Sequence, residues 1–161
     1  MIQIIIRKMQ EADRERVIQI LEYWNLAPPG QLPDPESTGL DTPGAAFVAE
    51  VGTRIVGCAS YILHAGLRAE TGSLAVDPAF RGLGIGEKLQ RARLCELQGL
   101  GILSILTETD RPEVIDWYVR KFGYRVAGKR RKKHAFSLQG IDYWTVLELD
   151  LTQWRPAPSE S

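Results

Sequence analysis

Leu74 to Leu89 reads Leu-Ala-Val-Asp-Pro-Ala-Phe-Arg-Gly-Leu-Gly-Ile-Gly-Glu-Lys-Leu. No other stretch limits the fold of this chain so tightly. A short apolar run stops at Asp77-Pro78, glycines follow at 82, 84 and 86, and a helical pattern begins at about Gly84 and lasts to Gly99. Glycine lets a backbone approach a ligand with no Cβ in the way. The N–H groups of such a turn and of the first helical turn form an anion site, and Arg81 adds a cation. A phosphate or pyrophosphate is the natural ligand.

Spacing narrows the choice. A P-loop needs Lys-Ser/Thr after its last glycine, whereas Gly86 is followed by Glu87-Lys88. A dinucleotide fingerprint needs G-x-G-x-x-G, and these glycines are spaced two and two. An R-x-x-G-x-G loop that cradles the pyrophosphate of coenzyme A is satisfied by Arg81, Gly84 and Gly86. An ordinary glycine-rich turn is the bland alternative.

The remaining elements follow from periodicity. Ile2–Met9 reads as a strand and Glu11–Asn25 as a helix with Val17, Ile20, Leu21 and Trp24 on one face. Ala27–Gly44 is rich in proline and glycine and reads as a substrate-facing loop. Ala45–Val51 and Arg54–Leu63 form a hairpin about Gly52-Thr53. Gly72–Val76 and Ile102–Thr107 are strands. On the helix between them Ile85, Leu89, Ala92 and Leu100 share a face that also carries Glu96. Pro112–Phe122 is a helix with Asp110 as candidate cap. Tyr124–Ala127 and Tyr143–Leu151 are strands. The order β-α-β-β-β-α-β-α-β-β gives an α/β fold, a mixed sheet with helices on both faces. With 161 residues, one domain over 1–154 is expected, followed by a Pro/Ser-rich, disordered tail at 155–161.

Formal net charge is zero, which gives no global attraction to nucleic acid or to an anionic membrane. The local exception is Lys129–His134, read as a solvated hairpin or as a site for an acidic acceptor or the 3′-phosphate of coenzyme A. Cys58 and Cys95 lack metal or disulfide-scaffold spacing and read as packing residues; no metal is expected. With no signal-peptide pattern and no long apolar run, the expected location is cytoplasmic.

Leu74-Ala75-Val76-Asp77-Pro78 with Phe80-Arg81-Gly82-x-Gly84-Ile85-Gly86-x-x-Leu89 resembles the central motif of the GNAT superfamily of acyl-CoA N-acyltransferases. Val114-Ile115-Asp116-Trp117-Tyr118, ending in Phe122-Gly123-Tyr124, is similar to that family's next motif. The resemblance covers about Ile2 to Leu151 and implies a mostly antiparallel GNAT-like sheet, with acetyl-CoA or a related acyl-CoA as donor. It implies cofactor binding by Leu74, Ala75, Val76, Arg81, Gly82, Leu83, Gly84, Ile85 and Gly86. The acceptor would be the amine of a small molecule or peptide, attacking the thioester directly.

In this family a backbone N–H at the end of the strand holds the oxyanion, which here is that of Val76. Comparable donors are worth about 2.7–4 kcal/mol. A helix tyrosine is the usual acid. Counted forward from Val114-Ile115 it is Tyr118; counted back from Gly123 it is Val119, because one residue is extra. The forward count is preferred, the extra residue being absorbed at the helix end. The base implied is a carboxylate, Glu70 first and Glu108 second. Arg111 stands where the family commonly has an asparagine for the pantetheine arm. The same fold also admits a non-catalytic acyl-CoA-binding module, and the glycine loop a nucleotide binder. The resemblance leaves a homodimer open.

Overall fold

The structure is a computed structural model describing residues 2–28, 30–33, 39–40, 42, 44–133 and 136–156. One seven-stranded sheet runs in the order β1-β2-β3-β4-β5-β7-β6. Its strands are β1 (Ile4–Lys8), β2 (Ala46–Val51), β3 (Arg54–His64), β4 (Arg68–Val76), β5 (Ser104–Thr109), β6 (Arg125–Arg131) and β7 (Tyr143–Asp150). The helices are α1 (Arg14–Tyr23), α2 (Ile85–Gly99) and α3 (Pro112–Phe122). The pairs β1–β2, β2–β3, β5–β7 and β6–β7 are antiparallel and β4–β5 is parallel. The element order and the mostly antiparallel α/β sheet are those expected from the sequence. No helix among the described residues is long and apolar enough to cross a membrane.

The chain divides into two compact units, Met1–Ile62 with Gly72–Arg93, and Leu63–Thr71 with Leu94–Ser161. In the first, β2 and β3 pair through a two-residue turn, with Val51 opposite Arg54 and Gly52 at φ 62°. Val48 lies opposite Cys58, and both are fully buried with Val17, Ile20 and Leu21 of α1. The next pair, Ala49 and Gly57, faces the other way. A Cβ on Gly57 would stand 3.0 Å from Leu89 Cδ1 and 3.3 Å from Ile85 Cγ2. So α1 and α2 cover opposite faces, and Gly57 is glycine because α2 lies against its backbone. The Ala27–Gly44 loop contributes Ala27, Leu32 and Leu40 to the α1 core, so part of it is packing rather than substrate wall. Pro29, residues 34–38, Asp41 and Pro43 lie outside the described residues.

The buried stripe of α2 differs from the expected one. Ile85, Leu89, Gln90, Arg93, Leu94 and Leu97 are buried, while Leu100 is exposed and Ala92 and Glu96 are half-buried. Hydropathy misplaced the stripe because two of its members are polar. They are tolerated there because Gln90 accepts from Arg93, which also donates to backbone carbonyls.

In the second unit, Ile105, Leu147 and Leu149 lie on one sheet face and are buried. Gln98 pins the C-terminal turn by donating to Leu151 O at 3.1 Å and Trp154 O at 3.0 Å. Of the expected tail, residues 157–161 lie outside the described residues. Cys58 is a packing residue whose thiol burial pushes up to about 12, but Cys95 is exposed and does not play that part.

Candidate functional site

In the first unit, β4 breaks at Ser73, whose φ of 52° is rare for a side-chain-bearing residue in a strand. Side chains bond the two carbonyls beside it. Gly72 O accepts from Ser60 Oγ at 3.1 Å and from Arg93 Nη1 at 3.0 Å. Ser73 O accepts from Cys58 Sγ at 3.3 Å. Beyond the break, Ala75 is buried in the α1 core, while Leu74 and Val76 are half-buried. Trp24 Nε1 donates to Val76 O at 2.8 Å, fixing the last peptide of the strand.

Asp77 then turns the chain. Its N–H donates to Val56 O at 2.7 Å, and its carboxylate accepts from Ala79 N at 2.9 Å, capping the 3-10 turn Pro78–Phe80. Arg16 pairs with it directly and Arg54 at 3.5 Å. Burial opposes its ionisation, but the Ala79 N–H and the arginines outweigh burial and hold the carboxyl below its usual range. Arg81 is exposed, its guanidinium 5.8 Å from the Trp24 ring centre. Gly82 and Gly84 have φ of 76° and 77°, and no atom lies within 4 Å of a Cβ built on either. Gly84 O accepts from Lys88 N at 3.1 Å, so the glycine turn leads directly into α2, whose first-turn N–H groups have no intrahelical acceptor.

In the second unit, Glu70 lies opposite Leu106, two residues before Glu108, so both carboxylates are on one sheet face. Neither flanks its strand, as the sequence suggested; Glu70 is inside β4 and Glu108 inside β5. His64 Nε2 is 3.6 Å from Glu70 Oε1, and Arg130 Nη1 is 2.7 Å from Glu108 Oε1. Burial raises the Glu108 carboxyl above its ordinary range; Glu70 adds to this, while Arg130 and Lys133 oppose it.

Tyr118 is 3 % exposed, in edge contact with Trp117 (5.0 Å between ring centres) and tilted against Tyr124 (4.9 Å). Val119 is 37 % exposed. The helix ends at Gly123, φ 80°, whose N–H is shared between Tyr118 O and Val119 O, while Tyr124 N reaches Tyr118 O at 3.3 Å. The two bonds to Tyr118 O exceed the regular i→i−4 span. The last turn is therefore widened, and Tyr118 rather than Val119 faces inward.

Asp110 does not cap α3; Arg111 holds the N-cap position. Instead, Asp110 binds the segment after β6: Lys132 Nζ at 2.7 Å, Ser137 Oγ at 2.6 Å and Leu138 N at 2.9 Å. Lys132 also donates to Phe136 O and Leu138 O and sits 4.6 Å from the Trp144 ring centre. The basic run is thus not uniformly solvated: Lys129 to Arg131 are exposed strand residues, Lys132 has a buried amine, and His134 lies outside the described residues.

Residues 42–126, just over half of the chain, match the family model of the acetyltransferase (GNAT) domain. The chain belongs to the GNAT acetyltransferase family. Solved structures share the GNAT fold. The ribosomal-protein-S18-alanine N-acetyltransferase of Escherichia coli is 17 % identical with a TM-score of 0.74, over 99 % of both chains. Ard1 of Thermoplasma volcanium is 22 % identical with a TM-score of 0.74, over 91 % of this chain and 96 % of that one. The structure of yncA of Salmonella typhimurium with its cofactor acetyl-CoA is 19 % identical with a TM-score of 0.71, over 99 % of both. At these identities the likeness is one of fold.

Sequence reasoning about this GNAT chain missed Trp24 on Val76, Arg93 on Gly72, Arg130 on Glu108 and Lys132 on Asp110. The last two carried a signal: residues two apart on a strand share a face, so Arg130 and Lys132 point together.

Proposed function

We propose that this protein is an acyl-CoA-dependent N-acyltransferase that moves an acetyl group from acetyl-CoA to a primary amine. One observation carries the reading: the glycine turn, with its two positive-φ residues, opens a long helix within the segment matched by the GNAT family. Leu74, Ala75 and Val76 with Arg81 to Gly86 hold the donor, the turn and first-turn N–H groups taking the pyrophosphate.

For the chemistry, Glu108 with Glu70 beside it is the acceptor-side carboxylate pair. An ammonium with a pKa of about 10.4 must lose its proton before it attacks. A carboxylate whose proton affinity is raised by burial is a better base at neutral pH than an ordinary one. The amine nitrogen bonds to the thioester carbon, the carbon–sulfur bond breaks, and Tyr118 is the candidate to protonate the departing thiolate. The Val76 N–H is the candidate oxyanion donor.

Tyr118 being nearly inaccessible favours one second reading, an acyl-CoA-binding module without turnover. Two measurements decide. Thermal shifts with coenzyme A, acetyl-CoA and ATP test the donor, since a ligand of the folded state raises stability. A shift with ATP and none with coenzyme A would overturn both readings. Thiol release across a panel of amines then separates the enzyme from the module.

A further inference from the structure

The cation on Glu108 bears on the choice of acceptor. Glu108 has a side chain 18 % exposed, and its Oε1 is 2.7 Å from Nη1 of Arg130, a side chain 54 % exposed. Arg130 stands on β6, an edge strand of the sheet, and reaches past β7 to this carboxylate. Any acceptor that brings an ammonium to Glu108 meets a guanidinium already there.

Displacing it is inexpensive, because a pair with one exposed partner is worth little. Leaving it displaced beside the new ammonium is not, because two cations at contact distance repel. Its own strand offers no relief. Lys129 and Arg131 flank it, and Lys133 already acts on Glu108. Among the described residues the nearby carboxylates have neighbours of their own: Glu70 lies 3.6 Å from His64, and Asp110 pairs with Lys132, Glu148 with Arg125, and Asp142 with Arg131 at 3.8 Å. A carboxylate on the acceptor would give the displaced guanidinium a new partner.

We infer that Arg130 selects the acceptor: it rests on Glu108 until an ammonium replaces it, then pairs with a carboxylate on the same molecule, so the acceptors are amines that carry a carboxylate. This rests on Glu108 being the acceptor-side carboxylate, as proposed above. Exchange leaves the ammonium and the guanidinium each with a carboxylate. A guanidinium suits the second role because it can bind a carboxylate through two parallel N–H groups.

The test is kcat/KM on pairs that differ in one carboxylate: L-phenylalanine against 2-phenylethylamine, and the peptide Ala-Asp-Ala-Gly against Ala-Asn-Ala-Gly. Wild type should prefer the carboxylate-bearing member of at least one pair. Arg130→Gln should cut that preference by about ten- to a hundredfold through KM, the scale of one charged hydrogen bond. Arg130→Glu should cut it further, and Arg130→Lys should restore part of it. Equal losses on both members of a pair, or no preference in wild type, would overturn the inference and leave the acyltransferase reading standing. No turnover of any amine, with coenzyme A still raising the melting temperature, would overturn both.

Discussion

Arg93 Nη1 lies 3.0 Å from the carbonyl oxygen of Gly72 and 3.1 Å from that of Ser60, with the arginine fully buried. The bonds prop β4 at the residue before its break, three residues ahead of Ala75. Arg93→Met keeps much of the volume but removes the donors, leaving buried carbonyls short of partners. The expected loss is about 2–4 kcal/mol. Urea unfolding checks it, as a lower midpoint at unchanged slope.

Gly84→Ala separates backbone strain from ligand contact. At φ 77° an L side chain costs about 1–2 kcal/mol, although the added Cβ meets no protein atom. The variant should fold, lose that much stability, and lose most of its thermal response to coenzyme A. Gly99→Ala at the end of α2, also with open space around its Cβ but no positive φ, is the control and should keep the response. A full coenzyme A response in Gly84→Ala would remove the loop from the site.

Glu108→Gln should dissociate activity from stability. A carboxyl whose folded pKa is raised loses stability as pH climbs from its unfolded value through its folded one, so at neutral pH the ionised Glu108 is a cost. Glutamine removes that cost, and the exposed Arg130 loses little with its partner. Turnover should fall at least a hundredfold, the low end for a general base, with unchanged or higher melting temperature. In wild type the acidic limb of the kcat/KM profile should lie above the ordinary glutamate range. Full turnover in the glutamine variant would move the base to Glu70.

Acid should unfold the protein through three aspartates. Arg7 holds the Asp13 carboxyl low, while at Asp77 and Asp110 burial is outweighed by Ala79 N–H with Arg16 and by Lys132 with Ser137. Their folded pKa values lie below the unfolded one, so their contribution is complete above about pH 4 and drains away as pH falls further. Unfolding followed from pH 7 to pH 2 should show this. Asp110→Asn should cost about 3–5 kcal/mol at neutral pH, because it strands the buried Lys132 ammonium.

Tyr118→Phe should lower turnover far more than it raises the KM for acetyl-CoA. The ring contacts with Trp117 and Tyr124 survive the change, so the fold should hold. Unchanged turnover would leave Tyr118 as an aromatic of the core.

The elements were legible because their signals are local. Pro112 and Gly123 bracket α3, Gly52-Thr53 marks the β2–β3 turn, and the alternation of β7 shows directly in Tyr143–Asp150. Glu70 and Glu108 were legible as residues but not as strand residues, because charged side chains blur the apolar alternation that marks a strand. The buried stripe of α2 was misread for a related reason. Arg93 is polar by composition, and only its bonds to Gly72, Ser60 and Gln90 make it a core residue.

By itself, then, the sequence determined the strand–glycine turn–helix unit around Gly82 and Gly84, since backbone conformation there depends on whether a Cβ is present. It also determined the family that this unit resembles. The tertiary structure alone decided which partners meet across long stretches of chain: Trp24 on Val76, Arg93 on Gly72, Arg130 on Glu108 and Lys132 on Asp110. Such pairings depend on strand register and on which face each residue occupies, and neither is a property of any short segment.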